Sequence, residues 1–198
     1  MHTKNIFGTD GIRAHSESEI LQPRALASLG YALGKWASSK YESPRIIIAR
    51  DTRQSGTKIQ KGLLSGLLAH PVMLYDSGIL PTPATYTLMH HRDLFDIALI
   101  ISASHNPYQD NGIKIFNKKS IKLTAAEELT ISSMLSDPIT HDKDKGIIKP
   151  FPEQLVHACA YMKNPCLKCI SPDPLQVAHV CALVPARAPE PLHASQAK

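Results

Sequence analysis

The chain has 198 residues, 43% hydrophobic and 20% charged, which is room for one domain with a proper core but not for three or four. Its formal charge of +5 comes from Lys and Arg scattered along the chain, with no basic run or RNA-binding aromatic motif. That argues against nucleic acid and suits a small phosphorylated substrate, whose phosphate needs charge-assisted hydrogen bonds from Arg, Lys or backbone N–H groups.

From Gln22 to about Trp36 the residues Leu26, Leu29, Leu33 and Trp36 recur near helical spacing, with Pro23 suited to the first turn. Arg45 to Ala49 is a short β-branched run that reads as a buried strand, ending in the polar turn Asp51 to Gly56. Ile59, Leu63, Leu64, Leu67 and Leu68 form the stripe of a second helix, and Val72 to Tyr75 gives another strand. Asp76-Ser77-Gly78 then reads as a turn, Pro83 to His90 as a helix and Ile97 to Ile101 as a buried strand. After a polar loop from Ser102 to Gly112, Ile113 to Phe116 reads as a strand. Thr124 with Glu127 is a capping box opening a helix towards Leu135. Alternating strands and helices predict a layered α/β/α domain with a mainly parallel or mixed sheet, its functional residues in loops at the strand ends.

Beyond about Pro152 the order fails, and 151–198 reads as an irregular tail with at most a short helix near Glu153 to Met162. All four cysteines, Cys159, Cys166, Cys169 and Cys181, fall there, so the main domain does not rest on disulfides. Cys166-x-x-Cys169 with His179 and Cys181 has only a superficial likeness to a zinc site, since one residue separates the second pair. No stretch approaches the roughly 18–20 apolar residues of a membrane span, and no signal core follows Met1-His2-Thr3-Lys4-Asn5. The expected location is therefore cytoplasmic, with no membrane partner.

Three loops carry chemistry. A buried strand delivers Ser104 into a loop where His105, Asn106 and, after the chain returns, Lys114 can converge. A serine hydroxyl is a poor nucleophile unaided, but as phosphoserine it is a phosphoryl donor of about two negative charges that needs cations nearby. Phe7-Gly8-Thr9-Asp10-Gly11-Ile12-Arg13 and Asp51-Thr52-Arg53-Gln54-Ser55-Gly56 offer them, as arginine makes planar bidentate contacts to phosphate. Singly, each feature has an ordinary reading. The glycines can mark a plain turn, Asp51 and Arg53 a surface pair, Thr9 and Ser55 caps, His105 an exposed loop residue and Lys114 a solvent-facing strand residue.

Those two loops, Pro81-Thr82-Pro83, and Ser102-Ala-Ser-His-Asn-Pro107 through Asp110-Asn-Gly-Ile-Lys114 stand in the order and spacing of the first domain of the α-D-phosphohexomutase superfamily. The Phe-Gly-Thr-Asp-Gly-Ile-Arg start resembles its phosphoglucosamine mutase branch, over roughly residues 5 to 135. The resemblance implies a catalytic-serine domain at 1–150 and, at 151–198, a remnant of the link to a second domain. It also implies a phosphorylated hexosamine substrate, glucosamine 6-phosphate and glucosamine 1-phosphate being interconverted through a phosphoserine at Ser104. Magnesium would be held by the Ser104 phosphoserine oxygen and three aspartates. Arg13 resembles the arginine beside the transferring phosphate, Lys114 a general acid or base that also binds substrate, and His105 a neighbour orienting the transfer. Arg53 is expected to support loop geometry through Asp10 or Asp51.

Departures are informative. Ala14 follows Arg13 where the family usually has Gly, which would alter the turn if it needs a positive φ. The Asp-Gly-Asp-x-Asp metal loop, the Gly-Glu sugar loop and the Arg-x-Ser-Gly-Thr phosphate clamp do not occur. The chain thus reads as a truncated or frame-disrupted mutase, inactive alone, that binds magnesium weakly if at all and associates with a complementary fragment. The alternative is a noncatalytic module that binds a phosphosugar or another protein. A serine hydrolase lacks its Gly-x-Ser-x-Gly elbow, and Gly30-x-x-x-Gly34-Lys35 is one residue short of a nucleotide-binding loop.

Overall fold

The computed structural model describes residues 5–90, 94–119, 121–139, 145–152 and 155. The chain divides into two units, Met1–Pro152 and Glu153–Lys198. The tail cysteines, His179 and the short helix expected near 153–162 lie outside the described residues, apart from Leu155.

Six strands, β1 (Ile12–His15), β2 (Arg45–Arg50), β3 (Met73–Ile79), β4 (Ile97–Ile101), β5 (Asp110–Asn117) and β6 (Ile147–Lys149), form one sheet in the order β1-β5-β4-β2-β3-β6. The β4-β2-β3-β6 half is parallel, while β5 and β1 run antiparallel at the other side. The helices are α1 (Pro23–Lys40), α2 (Ser55–Leu67), α3 (Thr82–His90) and α4 (Ala125–Met134). Strand alternation sends Ile46, Ile48, Ile97, Leu99 and Ile101 into the main core with Leu26, Leu33, Leu63 and Ile131 of α1, α2 and α4. Ile47, Ala49, Ala98 and Ile100 are buried on the opposite face, where α3 packs against β4.

Helices α1 and α2 touch backbone to backbone. A Cβ on Gly30 would lie 2.0 Å from the Leu63 carbonyl oxygen, and one on Gly66 would lie 2.0 Å from that of Ala27. Arg45 is clamped to Asp96 by two side-chain hydrogen bonds of 3.1 and 3.0 Å, fixing the start of β2 beside the start of β4. The expected capping box is present, with Thr124 Oγ1 accepting from Glu127 N at 3.3 Å and a Glu127 carboxylate oxygen accepting from Thr124 N at 2.8 Å.

Asp76-Ser77-Gly78 is not a turn. It is a bulge within β3, where the register with β2 shifts between Ile48 and Arg50. Gly78 takes φ +64° and donates its N–H to Asp76 Oδ1, and Ser77 Oγ donates to the Ile48 carbonyl, so the strand resumes its pairing. Ala14 pairs with Asn111 inside β1 and has no positive φ; the turn places that demand on Gly11, at φ +82°. The replacement of Gly by Ala therefore leaves this turn unaltered.

Neighbouring β2 and β4 are parallel, but β2 leads on to β3 at its other flank. Their carboxyl ends thus form the reversal of strand order at which open α/β sheets gather ligands. The loops carrying Arg53 and Ser104 both leave from this point.

Candidate functional site

β4 is buried along its whole length and ends at Ile101, so the next residues emerge at the sheet rim with little freedom. Ser102 Oγ accepts the N–H of Ser104 at 3.0 Å, and Asn106 and Asp110 donate their N–H groups to the carbonyls of Ala103 and Pro107. Ser104 sits at φ +56°, the one described non-glycine residue with a positive φ, and its side chain is turned outward and exposed. Such a conformation costs an L-residue about 1–2 kcal/mol, so the surroundings must enforce it.

Arg53 is the enforcer. All five of its guanidinium donors are used: Nε to Asp51 Oδ2 at 3.0 Å, Nη1 to the carbonyls of Pro107 and Asp110, and Nη2 to those of Ser104 and Asn106, both at 2.9 Å. Asp51 also accepts the Arg53 N–H. The pair is therefore no idle surface contact; it gathers four carbonyls of the serine loop beneath one cation. Ser55 is not the cap of α2, a position that Gln54 holds, and its hydroxyl instead accepts from the buried Asn111, which steadies the start of β5.

Strand β5 returns the chain antiparallel to β4, and Lys114 comes back level with Ile100. Its ammonium donates to Ser104 Oγ at 3.1 Å and lies 3.0 Å from Asp10 Oδ2. Pairing of β1 with β5 sets Arg13 opposite Gly112. Its Nη2 pairs with Asp10, its Nη1 donates to Asn106 Oδ1 at 3.1 Å, and its Nε is buried without a partner. Arg13 thus reaches the serine loop through Asn106 and Asp10 rather than by a bond to Ser104. His105 is exposed next to the serine and makes no hydrogen bond among the described residues.

Asp10 and Lys122 complete the cluster. Lys122 Nζ lies 2.7 Å from Asp10 Oδ1 and donates to the Thr9 carbonyl at 3.3 Å. Lys122 and then Lys114 hold the Asp10 carboxyl well below the usual carboxylate range, against the opposing effect of partial burial. The sequence offered no periodic sign of Lys122. It is returned to the site by a turn in which Asn117 Oδ1 accepts from the N–H groups of Lys119 and Ile121, closed by a bridge between Phe116 and Lys122. An Asn before a short polar stretch was the available signal for that turn.

These residues do not fit magnesium by themselves. Among the described residues no group of three or more His, Cys, Asp or Glu could hold a metal ion, and Ser104 Oγ already meets an ammonium.

Together these contacts set an exposed serine hydroxyl at a strand-order reversal, its loop held by Arg53 and its oxygen met by the Lys114 ammonium. Residues 4–140 match the phosphoglucomutase/phosphomannomutase α/β/α domain I, and the chain belongs to that family. Curated phosphoglucosamine mutases are similar to it: that of Nitrosospira multiformis is 41% identical over 143 residues, that of Deinococcus deserti 39% over 137, and that of Brucella anthropi 38% over 138. The alignments cover 69–70% of this chain, which spans only 30–31% of the length of those relatives. Among solved structures, a phosphoglucomutase/phosphomannomutase family protein from Burkholderia thailandensis superposes with TM-score 0.65 at 23% identity, over 78% of this chain and 34% of that one. The Paramecium phosphoglucomutase parafusin gives 0.57 at 19%, over 66% and 25%. These two share the fold. No described helix is long and apolar enough to cross a membrane.

Proposed function

We propose that this chain supplies the phosphoryl-carrying serine of a phosphohexose mutase of the phosphoglucosamine mutase type, which interconverts glucosamine 6-phosphate and glucosamine 1-phosphate. The observation that carries this is the Lys114 ammonium 3.1 Å from the exposed Ser104 hydroxyl. In the loading step a phosphate ester bond of a sugar bisphosphate breaks as the bond from phosphorus to Ser104 Oγ forms. The serine proton leaves and the sugar oxygen gains one. The reverse step at the other hydroxyl returns the phosphoryl group, so the cycle isomerises the sugar phosphate without consuming phosphate. Lys114 offsets the charge on the moving group or carries the proton, Arg13 receives phosphoryl oxygens, and His105 helps orient the transfer.

In this reading 1–150 is the catalytic-serine domain and 151–198 the link towards a second one. The chain spans 30–31% of its curated relatives, and in this reading it forms one wall of the cleft. The test is intact-mass analysis with peptide mapping after the chain is incubated with a glucosamine or glucose bisphosphate. One phosphoryl group on Ser104, absent from Ser104→Ala, is expected. Saturable phosphosugar binding with no modified serine would favour the noncatalytic module instead.

A further inference from the structure

We infer that Asp10 is a positioning residue, the internal counter-anion of the serine site. Its carboxylate holds Lys114 and Arg13 while Ser104 is bare, and releases them to the phosphoryl oxygens when Ser104 is loaded, with Lys122 retaining the freed carboxylate. This rests on Ser104 carrying a phosphoryl group.

Charge and geometry support the exchange. One carboxylate faces three cations, Arg13, Lys114 and Lys122. Three positive charges against one negative leave a surplus of two, which matches the roughly −1.5 to −2 of a phosphoserine. An ammonium has three donors, and Lys114 spends two, on Asp10 and on the Ser104 oxygen that would become the ester oxygen. Its third donor can therefore meet a phosphoryl oxygen without any movement of β5. Arg13 gives one N–H of Nη1 to Asn106 and one of Nη2 to Asp10, which leaves each of these nitrogens a second donor. Lys122 is the cation best able to follow a moving carboxylate, because its side chain is 51% exposed against 12% for Lys114. With the bare site already neutralised in part, free phosphate must compete with Asp10 for the charge of Lys114 and Arg13, whereas a phosphoryl group fixed covalently to Ser104 does so at high effective concentration.

The test is the affinity of the full chain for inorganic phosphate at constant ionic strength, followed by NMR shift titration. Asp10→Asn should bind phosphate at least about tenfold more tightly than wild type, since an internal competitor is gone. Glu128→Gln, which loses the same charge nearby from a residue with no ion pair among the described residues, should change it less than threefold. Damage to the fold would weaken binding, so the expected gain has the opposite sign, and Asp10→Ser repeats the test if asparagine disturbs the turn. Unchanged or weaker binding in both Asp10 variants, or an equal gain in Glu128→Gln, overturns the inference. Failure of wild type to become phosphorylated at Ser104 would instead overturn the function proposed above, so the two are judged by separate readings.

Discussion

Replacing Arg53 should loosen the serine loop without unfolding the domain. Its guanidinium, in a side chain only 11% exposed, donates to four loop carbonyls; the bonds to Asp110 and Asn106 are part-buried and those to Pro107 and Ser104 exposed. Bonds to a charged donor contribute about 1.5 kcal/mol each at the lower end where partly buried, and about 0.5 where released carbonyls regain water, so local order loses about 4 kcal/mol. The loop spans only a few residues beyond the core, so most of this appears as local opening rather than global instability. In Arg53→Met, hydrogen exchange at the Asn106 and Asp110 amides should accelerate by up to about a thousandfold, with the β4 amides little affected. Arg53→Lys, with at most three donors and no planar fork, should fall between. If both variants keep wild-type protection in the loop, Arg53 does not organise it and the account of Ser104 fails.

Ser104→Gly should raise stability to urea by up to about 1 kcal/mol over Ser104→Ala, because glycine relieves the φ of +56° and loses only part of that gain to chain entropy. Equal stability would mean the serine is unstrained. Gly66→Ala should cost about 1–3 kcal/mol in urea unfolding despite the better helix propensity of alanine, since its Cβ would meet the α1 backbone at 2.0 and 2.4 Å. Gly56→Ala, whose added Cβ would meet Arg50 Cδ at 3.5 Å, should be neutral or slightly stabilising. Burial first, then the Lys145 and Lys35 charges, depresses the His70 pKa against a raising hydrogen bond with the Tyr31 backbone. The native state thus binds fewer protons there than the unfolded chain. Its contribution is present above the ordinary histidine value of about 6.5 and is lost as pH falls below it. Between pH 8 and 5.5, wild type should lose more stability to urea than His70→Leu does; equal losses would refute the assignment.

Much of the fold was legible because the core is patterned locally. Ile97 to Ile101 is apolar without interruption, and Thr124 with Glu127 announces α4 within four residues. What escaped depends on partners distant in sequence. β1 has only Ile12 turned fully into the core and exists because Ile12 to His15 find Asp110 to Ile113. β6 is three exposed residues held by pairing with β3. The bulge in β3 looked like a turn because Asp-Ser-Gly favours one locally, while pairing with β2 carries the strand through it. In the site, the motifs gave Ser104, Lys114, Arg13 and the supporting part of Arg53. The role of Asp10 as the carboxylate shared by three cations could not be read, since one of its partners, Lys122, lies over a hundred residues away and reaches it through a turn.

The rate at which Ser104 takes up a phosphoryl group from a sugar bisphosphate, read by intact mass in wild type and in Lys114→Met, tests the central claim most directly. If the ammonium beside the hydroxyl serves the transfer, the variant should load more slowly by about a hundredfold or more. Equal rates with Ser104 as the modified residue would show that the closeness of Lys114 has no chemical consequence.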